Sequence, residues 1–382
     1  MSVAKRLVIH AGFLKTGTTA LQASMNIKQK ALLEQGVFYP KVVDPRIAVE
    51  ADHHFAALAL IGKPEGWRSE ESENDFEPIS TWENLCKQLN SYSGTSIFSS
   101  EMLCELEVSQ IQKIKNETKA LEKDVIFTIR PLVKILPSAY QQKIKFGQIK
   151  VSYEKWLEQV FAPDRDNNAA KQFWLRHDYP AVLQRWIDVF TNEHVGLVVA
   201  DENNREFLFD TFSSLLKLKP GTLKQVKNVG TNRSLTIDEG TLLMEVSRLY
   251  RKNRDWTDYK IFIREGAAKF LTDSESKDLD AKKLVTPQWA IDAANEGTRK
   301  HIEQIKALNI RIDGDLDSLA NATVPSGTNE IPDSIPVKTA ARMFLAYSRE
   351  DVVKRLPNEV IFEEAKNRIK EILNPRRFKP RR

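Results

Sequence analysis

The chain is poor in cysteine and contains no long apolar segment. Cys86 and Cys104 are its two cysteines in 382 residues, too few for a disulfide framework or a four-cysteine metal site. No run approaches the roughly 18 apolar residues that a membrane-spanning helix requires. The N-terminal MSVAKRLVIHAGF passes directly into the polar KTGTT segment, which predicts a first strand and not a secretion signal. These absences favour a reducing, cytoplasmic location.

A strong excess of charge is also lacking. The formal net charge is +5, which suits an anionic ligand but does not require nucleic acid, and no nucleic-acid partner is expected. Basic residues are densest in the C-terminal segment 374–382, which is typical of a solvated tail, with contact to an anionic surface as the alternative. The six histidines are not accompanied by H-x-x-x-H, cysteine pairs or carboxylate clusters, so no metal is expected.

Short β-branched runs alternate with helical patterns through the first 200 residues. The alternation predicts a parallel, doubly wound α/β sheet, whose ligands lie beyond the carboxyl ends of the strands. The predicted strands are Arg6–His10, Thr95–Ser99, Asp124–Ile129 and His194–Ala200. The predicted helices are Thr18–Glu34, His53–Ile61, Thr81–Tyr92, Ser109–Thr118, Leu132–Phe146, Tyr153–Phe161 and Tyr179–Phe190.

The second half of the chain has a mostly helical pattern. Helices are predicted over Arg205–Leu218, Asp238–Lys252, Asp258–Leu271 and Asn358–Ile372, and no strand is predicted after residue 200. The segment 313–337 is rich in Gly, Asp, Ser, Asn and Pro, which indicates a linker. We therefore expect an α/β core over residues 1–255 and a helical extension with a basic tail over residues 256–382.

The strongest motif is HAGFLKTGTT at residues 10–19, between the first strand and the first long helix. Small residues at such a turn allow backbone N–H groups to converge on an anion, and the helix N-terminus adds partial positive charge. Thr18 and Thr19 add hydroxyls, and Lys15 adds a cation. The Walker A loop instead places lysine directly before the hydroxyl residue, whereas here Gly17 precedes Thr18. The motif predicts a phosphate or sulfate cradle that differs from a triphosphate loop.

A second candidate element follows the third predicted strand. Arg130 directly follows that strand, and Ser138 lies eight residues later in a predicted helix. An arginine offers paired charge-assisted hydrogen bonds and a serine offers one hydroxyl. The two side chains can therefore bind one phosphate together.

These two motifs resemble those of the sulfotransferases that use 3′-phosphoadenosine 5′-phosphosulfate (PAPS), in the KTGTT-x-LQ variant of bacterial and carbohydrate-type members. The resemblance implies a P-loop-like parallel sheet, with Lys15 at the bridging oxygen that leaves and Thr16, Gly17, Thr18 and Thr19 at the 5′-phosphate. It also implies that Arg130 and Ser138 bind the 3′-phosphate, in an R-P opening followed by S-x-Y. The R-D-P form of this motif and the R-K-G loop of small-molecule members are absent.

The acceptor must be deprotonated by a positioned base. Family members carry that base after the second strand, where this chain has Glu101; the alternative is a carboxylate that only stabilises a helix N-terminus. His10 is a second candidate base, or a structural hydrogen-bond partner. His53 and His54 are candidates for binding the acceptor.

A sulfotransferase acting on a hydroxyl or amine is therefore expected, with a glycan or glycolipid as acceptor. Aromatic and basic residues in segments 44–80 and 143–177 suit a sugar ring with an anionic group, although they are equally typical of ordinary packing. The alternatives are a P-loop kinase or NTPase, and a non-catalytic nucleotide-binding relative.

Overall fold

The computed structural model describes residues 5–44, 49–51, 53–62, 78–201, 203–226, 233–250, 259–273 and 282–346. Its strands are β1 (Arg6–His10), β2 (Val37–Phe38), β3 (Val42–Asp44), β4 (Val49–Ala51), β5 (Thr95–Ser99), β6 (Glu122–Ile129), β7 (Val195–Val199) and β8 (Arg311–Asp313). Six of them form one parallel sheet in the order β2-β5-β1-β6-β7-β8, and β3 pairs with β4 in an antiparallel ribbon.

Helices cover both faces of the sheet. In the first half they are α1 (Thr18–Ile27), α2 (Gln29–Leu33), α3 (His54–Ile61), α4 (Pro78–Ser91), α5 (Val108–Glu117), α6 (Leu132–Lys145), α7 (Tyr153–Val160), α8 (Asn168–His177) and α9 (Tyr179–Phe190). In the second half they are α10 (Glu206–Leu215), α11 (Ile237–Tyr250), a π-helix (Lys260–Ala268), α12 (Lys269–Asp273), α13 (Gln288–Ala307) and α14 (Val337–Ala346). Short 3₁₀ turns span Glu101–Glu105, Asn192–His194 and Asp317–Ala320.

Successive side chains of each strand point to opposite faces of the sheet, so each strand contributes to two apolar layers. Val8, Ile97 and Ile126 pack on the smaller layer with residues of α1 and α10. Leu7, Ile9 and Phe127 pack on the larger layer with most of the other helices. Because helices cover both faces of the sheet, the strands have continuous apolar sequences, as is typical of buried parallel strands.

Polar caps set where several helices begin. The Asn167 side chain accepts a hydrogen bond from the Ala170 N–H at 2.9 Å before α8, and Ser152 accepts one from Lys155 at 3.2 Å before α7. Before α11, Thr236 and Glu239 form a reciprocal capping box, with distances of 3.0 and 3.2 Å. Each cap satisfies backbone donors that the helix itself leaves unpaired.

The predicted fold class is confirmed: a parallel sheet is flanked by helices, and the second half is mostly helical. Strands β1 and β5 and helix α9 have the predicted bounds, and β6 begins two residues earlier. The prediction of one helix over Thr18–Glu34 is corrected by a break at Lys28 between α1 and α2.

The prediction that no strand follows residue 200 is wrong, since β8 pairs with β7. Helices α8 and α13 were not predicted, and α13 packs against α6 and α9. The division at residue 255 stays a prediction. Segment 313–337 is mostly irregular, as predicted, while the predicted helix 358–372 and the basic tail lie outside the described residues. Within the described ranges, no helix is both long and apolar enough to cross a bilayer.

Phe127 is the aromatic residue of β6 around which the larger layer packs, and we expect its replacement to be costly. It is fully buried, with ring centroids 5.1 Å from Phe13 and 6.0 Å from Trp186. Phe127→Ala should lower the free energy of unfolding by about 3–5 kcal/mol, because it leaves a cavity. Leu121→Ala, at a side chain that is 78% exposed, should cost less than about 0.5 kcal/mol. Urea denaturation measures both; equal costs would contradict this packing.

Candidate active site

The candidate residues follow three adjacent strands. Strand β1 lies between β5 and β6, with His10 beside Ser99 on one side and Ile126 on the other. Parallel strands share one carboxyl edge, so the loop after β1, Glu101 after β5 and Arg130 after β6 meet at that edge. The order of the strands thus brings together three segments that are up to 115 residues apart along the chain.

The loop after β1 presents unpaired backbone donors at the start of α1. Lys15 and Gly17 have positive φ angles of 68° and 94°, a conformation that turns the chain sharply before the helix. In the described structure, the N–H groups of residues 16–19 donate no hydrogen bond, whereas those of Ala20 and Leu21 bond to the Gly17 carbonyl. Four successive unpaired amides at a helix N-terminus form a cradle for an anion.

Gly12 allows the loop to lie this close to the sheet. A Cβ at this position would lie 2.5 Å from Thr128 Oγ1, 2.7 Å from Thr18 Oγ1 and 2.8 Å from His10 Nε2. These separations are far below van der Waals contact, and all three neighbours are buried. Glycine is required here by close approach, since no larger residue fits without displacing the loop.

A chain of hydrogen bonds beneath the loop joins the sheet to α1. Its distances are 3.2 Å from Gln22 Nε2 to Ser99 Oγ, 2.9 Å from Ser99 Oγ to His10 Nδ1, and 3.3 Å from His10 Nε2 to Thr128 Oγ1. It continues for 2.7 Å from Thr128 Oγ1 to Thr16 Oγ1 and for 2.6 Å from Thr16 Oγ1 to the Phe13 carbonyl.

The direction of this chain follows from its two ends. The Gln22 amide can only donate and the Phe13 carbonyl can only accept, so every hydroxyl between them donates toward Phe13. His10 therefore carries its proton on Nε2 and accepts at Nδ1. The Thr16 hydroxyl is committed to Phe13, and the Thr18 hydroxyl lies 3.4 Å from Thr16 Oγ1, to which it donates. The backbone N–H groups of the loop are therefore left for a ligand.

His10 is fully buried, and both of its ring nitrogens lie within this chain. Burial lowers the pKa of His10 from its ordinary 6.5 to about 3, so the ring is neutral at physiological pH. Its edge also packs against Phe212, with centroids 4.8 Å apart. Of the two roles expected for His10, this geometry supports the structural one; a role as base stays a prediction.

Lys15 lies in the electrostatic field of three charged side chains. Part of the residue is exposed, but protein atoms crowd its amine, and this loss of hydration lowers the pKa of Lys15. The Glu101 carboxylate opposes the shift, while Arg130 and Arg264 reinforce it. Arg130 also donates to the Lys15 carbonyl, and Glu101 follows the neighbouring strand β5, so these two groups share the carboxyl edge of the sheet with Lys15.

Glu101 begins the 3₁₀ turn and is partly buried. The preceding Ser100 caps the turn by accepting a hydrogen bond from the Met102 N–H at 3.3 Å. Glu101 itself forms no hydrogen bond or ion pair with the residues that the structure describes. Its carboxylate is therefore available to accept a proton from a ligand near Lys15.

Arg130 is held against the loop and at the start of α6. Its Nη1 donates to the Lys15 carbonyl at 3.0 Å, and its own carbonyl accepts from the Tyr179 hydroxyl at 3.4 Å. Ser138 lies in the second turn of α6, where its hydroxyl donates to the Ile135 carbonyl at 2.8 Å. Both residues are partly exposed. To donate to a ligand, Ser138 must rotate its hydroxyl away from Ile135.

The two adjacent histidines differ in environment. His53 is buried; its Nδ1 accepts from the Ser99 N–H at 3.0 Å and its Nε2 donates to the Pro40 carbonyl at 2.8 Å. These contacts join α3 to β5, so both ring nitrogens have structural partners. His54 is partly exposed at the start of α3, next to the Phe55 ring. A role in acceptor binding stays a prediction for both.

Arg264 and Thr128 were not anticipated from the sequence. Arg264 lies in the π-helix, a rare conformation that is frequent at functional sites, and no motif marked it. Thr128 is a lone polar residue in the apolar run of β6, which is the one signal that could have identified it. Trp156 and Trp174 are the tryptophans of segment 143–177, whose aromatic residues were predicted to suit a sugar ring, and both are buried in the core.

A well-formed cavity lies apart from these residues. It has a volume of about 540 Å³ between α6, α7 and α11, with Tyr140, Tyr153 and Met244 in its walls. Lys15, Glu101 and Arg130 do not line it. Within the described ranges, no group of three or more histidine, cysteine or carboxylate side chains could hold a metal ion.

Comparison with known proteins returns little. No protein-family model matches the chain, and no curated protein does. One similar solved structure is a sulfotransferase from Alicyclobacillus acidocaldarius, with 14% sequence identity and a TM-score of 0.38; the match covers 65% of this chain and 93% of that chain. Identity and TM-score are both low, so this similarity does not indicate a function for the site.

The neutrality of His10 predicts a loss of stability in acid. Between pH 6.5 and 3 the unfolded chain binds the His10 proton more readily than the folded one, so stability decreases as the pH falls through this window. The free energy of unfolding should decrease between pH 7 and pH 5 in both proteins. In His10→Gln this decrease should be smaller than in wild type, by on the order of 1–2 kcal/mol. Denaturant titrations at both pH values measure this. His194→Gln, at a half-exposed site, should not reduce the loss; an equal loss in His10→Gln would refute the assignment.

Proposed function

We propose that this chain is a sulfotransferase that transfers a sulfuryl group from PAPS to a hydroxyl, or an amine, of an acceptor. The observation that carries the proposal is the row of unpaired amides at residues 16–19 beside Lys15, with Glu101 near the same lysine. An anion cradle, a cation and an available carboxylate are the three groups that such a transfer needs.

The donor would extend along the carboxyl edge of the sheet. Its phosphosulfate would bind to the amides of residues 16–19, and its 3′-phosphate to Arg130 and Ser138. The hydrogen bond from Arg130 to the Lys15 carbonyl supports this placement, because it joins the two parts of the binding site. Binding the 3′-phosphate would thereby also influence the loop that holds the phosphosulfate.

The transfer forms one bond and breaks one. The acceptor oxygen attacks sulfur, the bond from sulfur to the bridging oxygen breaks, and 3′,5′-adenosine bisphosphate leaves. Glu101 takes the proton of the acceptor hydroxyl, and Lys15 offsets the negative charge that develops on the leaving oxygen. His10 stays neutral and holds the loop in position.

A sugar hydroxyl of a glycan or glycolipid is the acceptor we propose, and the cytoplasm the location. The acceptor would approach from the side of Glu101, since the amides and Arg130 occupy the donor side. A kinase or NTPase activity is less well supported, because the lysine of this loop precedes Gly17 and does not follow it. The loop therefore lacks the lysine position that reaches the β and γ phosphates in triphosphate sites.

The donor site is tested by calorimetric titration with 3′,5′-adenosine bisphosphate. Wild type should bind 3′,5′-adenosine bisphosphate and should bind ATP much more weakly. Arg130→Ala should raise the dissociation constant for 3′,5′-adenosine bisphosphate about 10- to 100-fold, because a charge-assisted hydrogen bond is lost. Arg299→Ala, on the exposed surface of α13, should bind like wild type. No binding by wild type, or a preference for ATP, would overturn the proposal.

The base is tested with Glu101→Gln. This variant should bind 3′,5′-adenosine bisphosphate like wild type but turn over about 10²- to 10⁴-fold more slowly, since proton transfer is removed. The rate is measured as the formation of 3′,5′-adenosine bisphosphate from PAPS, with p-nitrophenyl β-D-glucoside as the acceptor. Glu122→Gln, an exposed site at the start of β6, is the control and should keep the wild-type rate. An unchanged rate in Glu101→Gln would exclude it as base.

A further inference from the structure

The cavity between α6, α7 and α11 has walls whose polar side chains already have partners. The Tyr140 hydroxyl donates to the Val151 carbonyl at 2.8 Å, and the Tyr153 hydroxyl lies 3.1 Å from a threonine hydroxyl. The Gln141 amide is bonded at both ends to the backbone of Leu235, at 3.2 and 3.0 Å. These side chains therefore offer a ligand apolar surface and no free hydrogen-bonding group.

The rest of the interior surface is mainly aliphatic. Ile144, Ile149 and Leu284 line the cavity together with Met244, whose flexible thioether adapts to ligands of irregular shape. The volume of about 540 Å³ falls within the roughly 300–1,000 Å³ of small-molecule sites. Ile331 also lines the cavity although its side chain is 60% exposed, so apolar surface continues to the mouth. An apolar chain bound here would remove that surface from water.

Lys150 is the cation at the mouth that has no partner. It is exposed, it lines the cavity, and it forms no hydrogen bond or ion pair with the residues that the structure describes. Three carboxylates also line the cavity, and each is paired: Glu245 with Arg248 at 2.8 Å, Glu330 with Lys282 at 3.4 Å, and Glu154 with the Asn329 amide. An anionic group at the mouth can therefore pair with Lys150 without displacing another carboxylate.

A glycine in α11 keeps one wall of the cavity open. Gly240 is buried and lines the cavity, and a Cβ added there would have one neighbour within 4 Å, Ile144 Cδ1 at 3.5 Å. That separation is ordinary van der Waals contact, and the φ angle of Gly240 is not positive. Neither close approach nor backbone conformation requires glycine here, and glycine is a poor helix former. Its evident effect is to leave space inside the cavity.

From these observations we infer that the cavity is a second binding site, for the alkyl or acyl chain of an amphipathic anion such as a fatty acid. The chain would lie against the aliphatic and tyrosine walls, and the carboxylate would pair with Lys150 at the mouth. The inference goes beyond the proposed function, because Lys15, Glu101 and Arg130 do not line this cavity.

Dodecanoate, at concentrations below micelle formation, is the probe. Calorimetry should show saturable binding, and octanoate should bind on the order of 100-fold more weakly because it has four fewer methylene groups to bury. Dodecyltrimethylammonium has the same chain and a cationic head group, and it should bind at least about 10-fold more weakly than dodecanoate. Saturating 3′,5′-adenosine bisphosphate should leave the dissociation constant of dodecanoate unchanged.

A space-filling substitution locates the chain. Gly240→Leu places a side chain in the cavity and should weaken dodecanoate binding at least about 100-fold, since the chain loses most of its buried methylene contacts. Gly240→Ala, which adds one methyl group, should give an intermediate affinity. Gly297→Leu is the matched control, because Gly297 lies in helix α13 with no atom within 4 Å of an added Cβ. It should bind dodecanoate like wild type.

A charge substitution locates the head group. Lys150→Gln should weaken dodecanoate binding about 10-fold and leave dodecyltrimethylammonium binding no weaker than in wild type. Lys150→Arg should restore most of the affinity for dodecanoate. Lys155→Gln, at an exposed lysine of α7 that pairs with Glu158, should bind dodecanoate like wild type.

The outcomes separate this site from the proposed function. Absence of saturable dodecanoate binding, or binding that Gly240→Leu leaves unchanged, would overturn the inference. Displacement of dodecanoate by 3′,5′-adenosine bisphosphate would overturn it too, because the probe would then occupy the donor site. Urea denaturation should show that Gly240→Leu is at least as stable as wild type, as expected for replacing a helical glycine. Failure of 3′,5′-adenosine bisphosphate to bind would remove the proposed function and leave this site standing.

Discussion

The hydrogen-bond chain from Gln22 through Ser99, His10, Thr128 and Thr16 to the Phe13 carbonyl is the constraint on which the site depends. It joins β1, β5, β6 and α1, and its single direction determines the proton position of each member. Above these bonds, the amides of residues 16–19 stay unpaired in the described structure, because the first N–H groups of a helix have no intrahelical acceptor. The chain also requires a neutral His10, so the loop is coupled to a buried group that acid would charge.

The proposed donor and acceptor occupy different sides of Lys15. In the proposed function, the loop amides and Arg130 bind the donor, so the acceptor approaches Lys15 from the side of Glu101. Helix α8 packs against the 3₁₀ turn that begins at Glu101, and its Arg176 pairs with Glu105 at the end of that turn. The proposed donor half is thus formed at strand ends, and the proposed acceptor half lies beside the 3₁₀ turn.

Sequence patterns predicted the first half of the fold well because buried parallel strands are continuous apolar runs with polar ends. They failed where burial is slight or uses small residues. Strand β8 has three residues and no buried one, so it leaves no apolar run. Helix α13 buries a stripe of Ala290, Ala294, Thr298 and His301 together with isoleucines, and alanine, threonine and histidine give a weak helical signal. Its 20 residues were consequently missed.

By itself the sequence determined the parallel α/β class, the cradle at residues 10–19, and Glu101 and Arg130 at strand ends, because each depends on local pattern and on the shared edge of parallel strands. Only the tertiary structure decided that His10 and Thr16 use their side chains internally, and that Arg264 acts on Lys15. Those facts depend on which side chains meet across more than 100 residues of chain, and no local pattern encodes such distances.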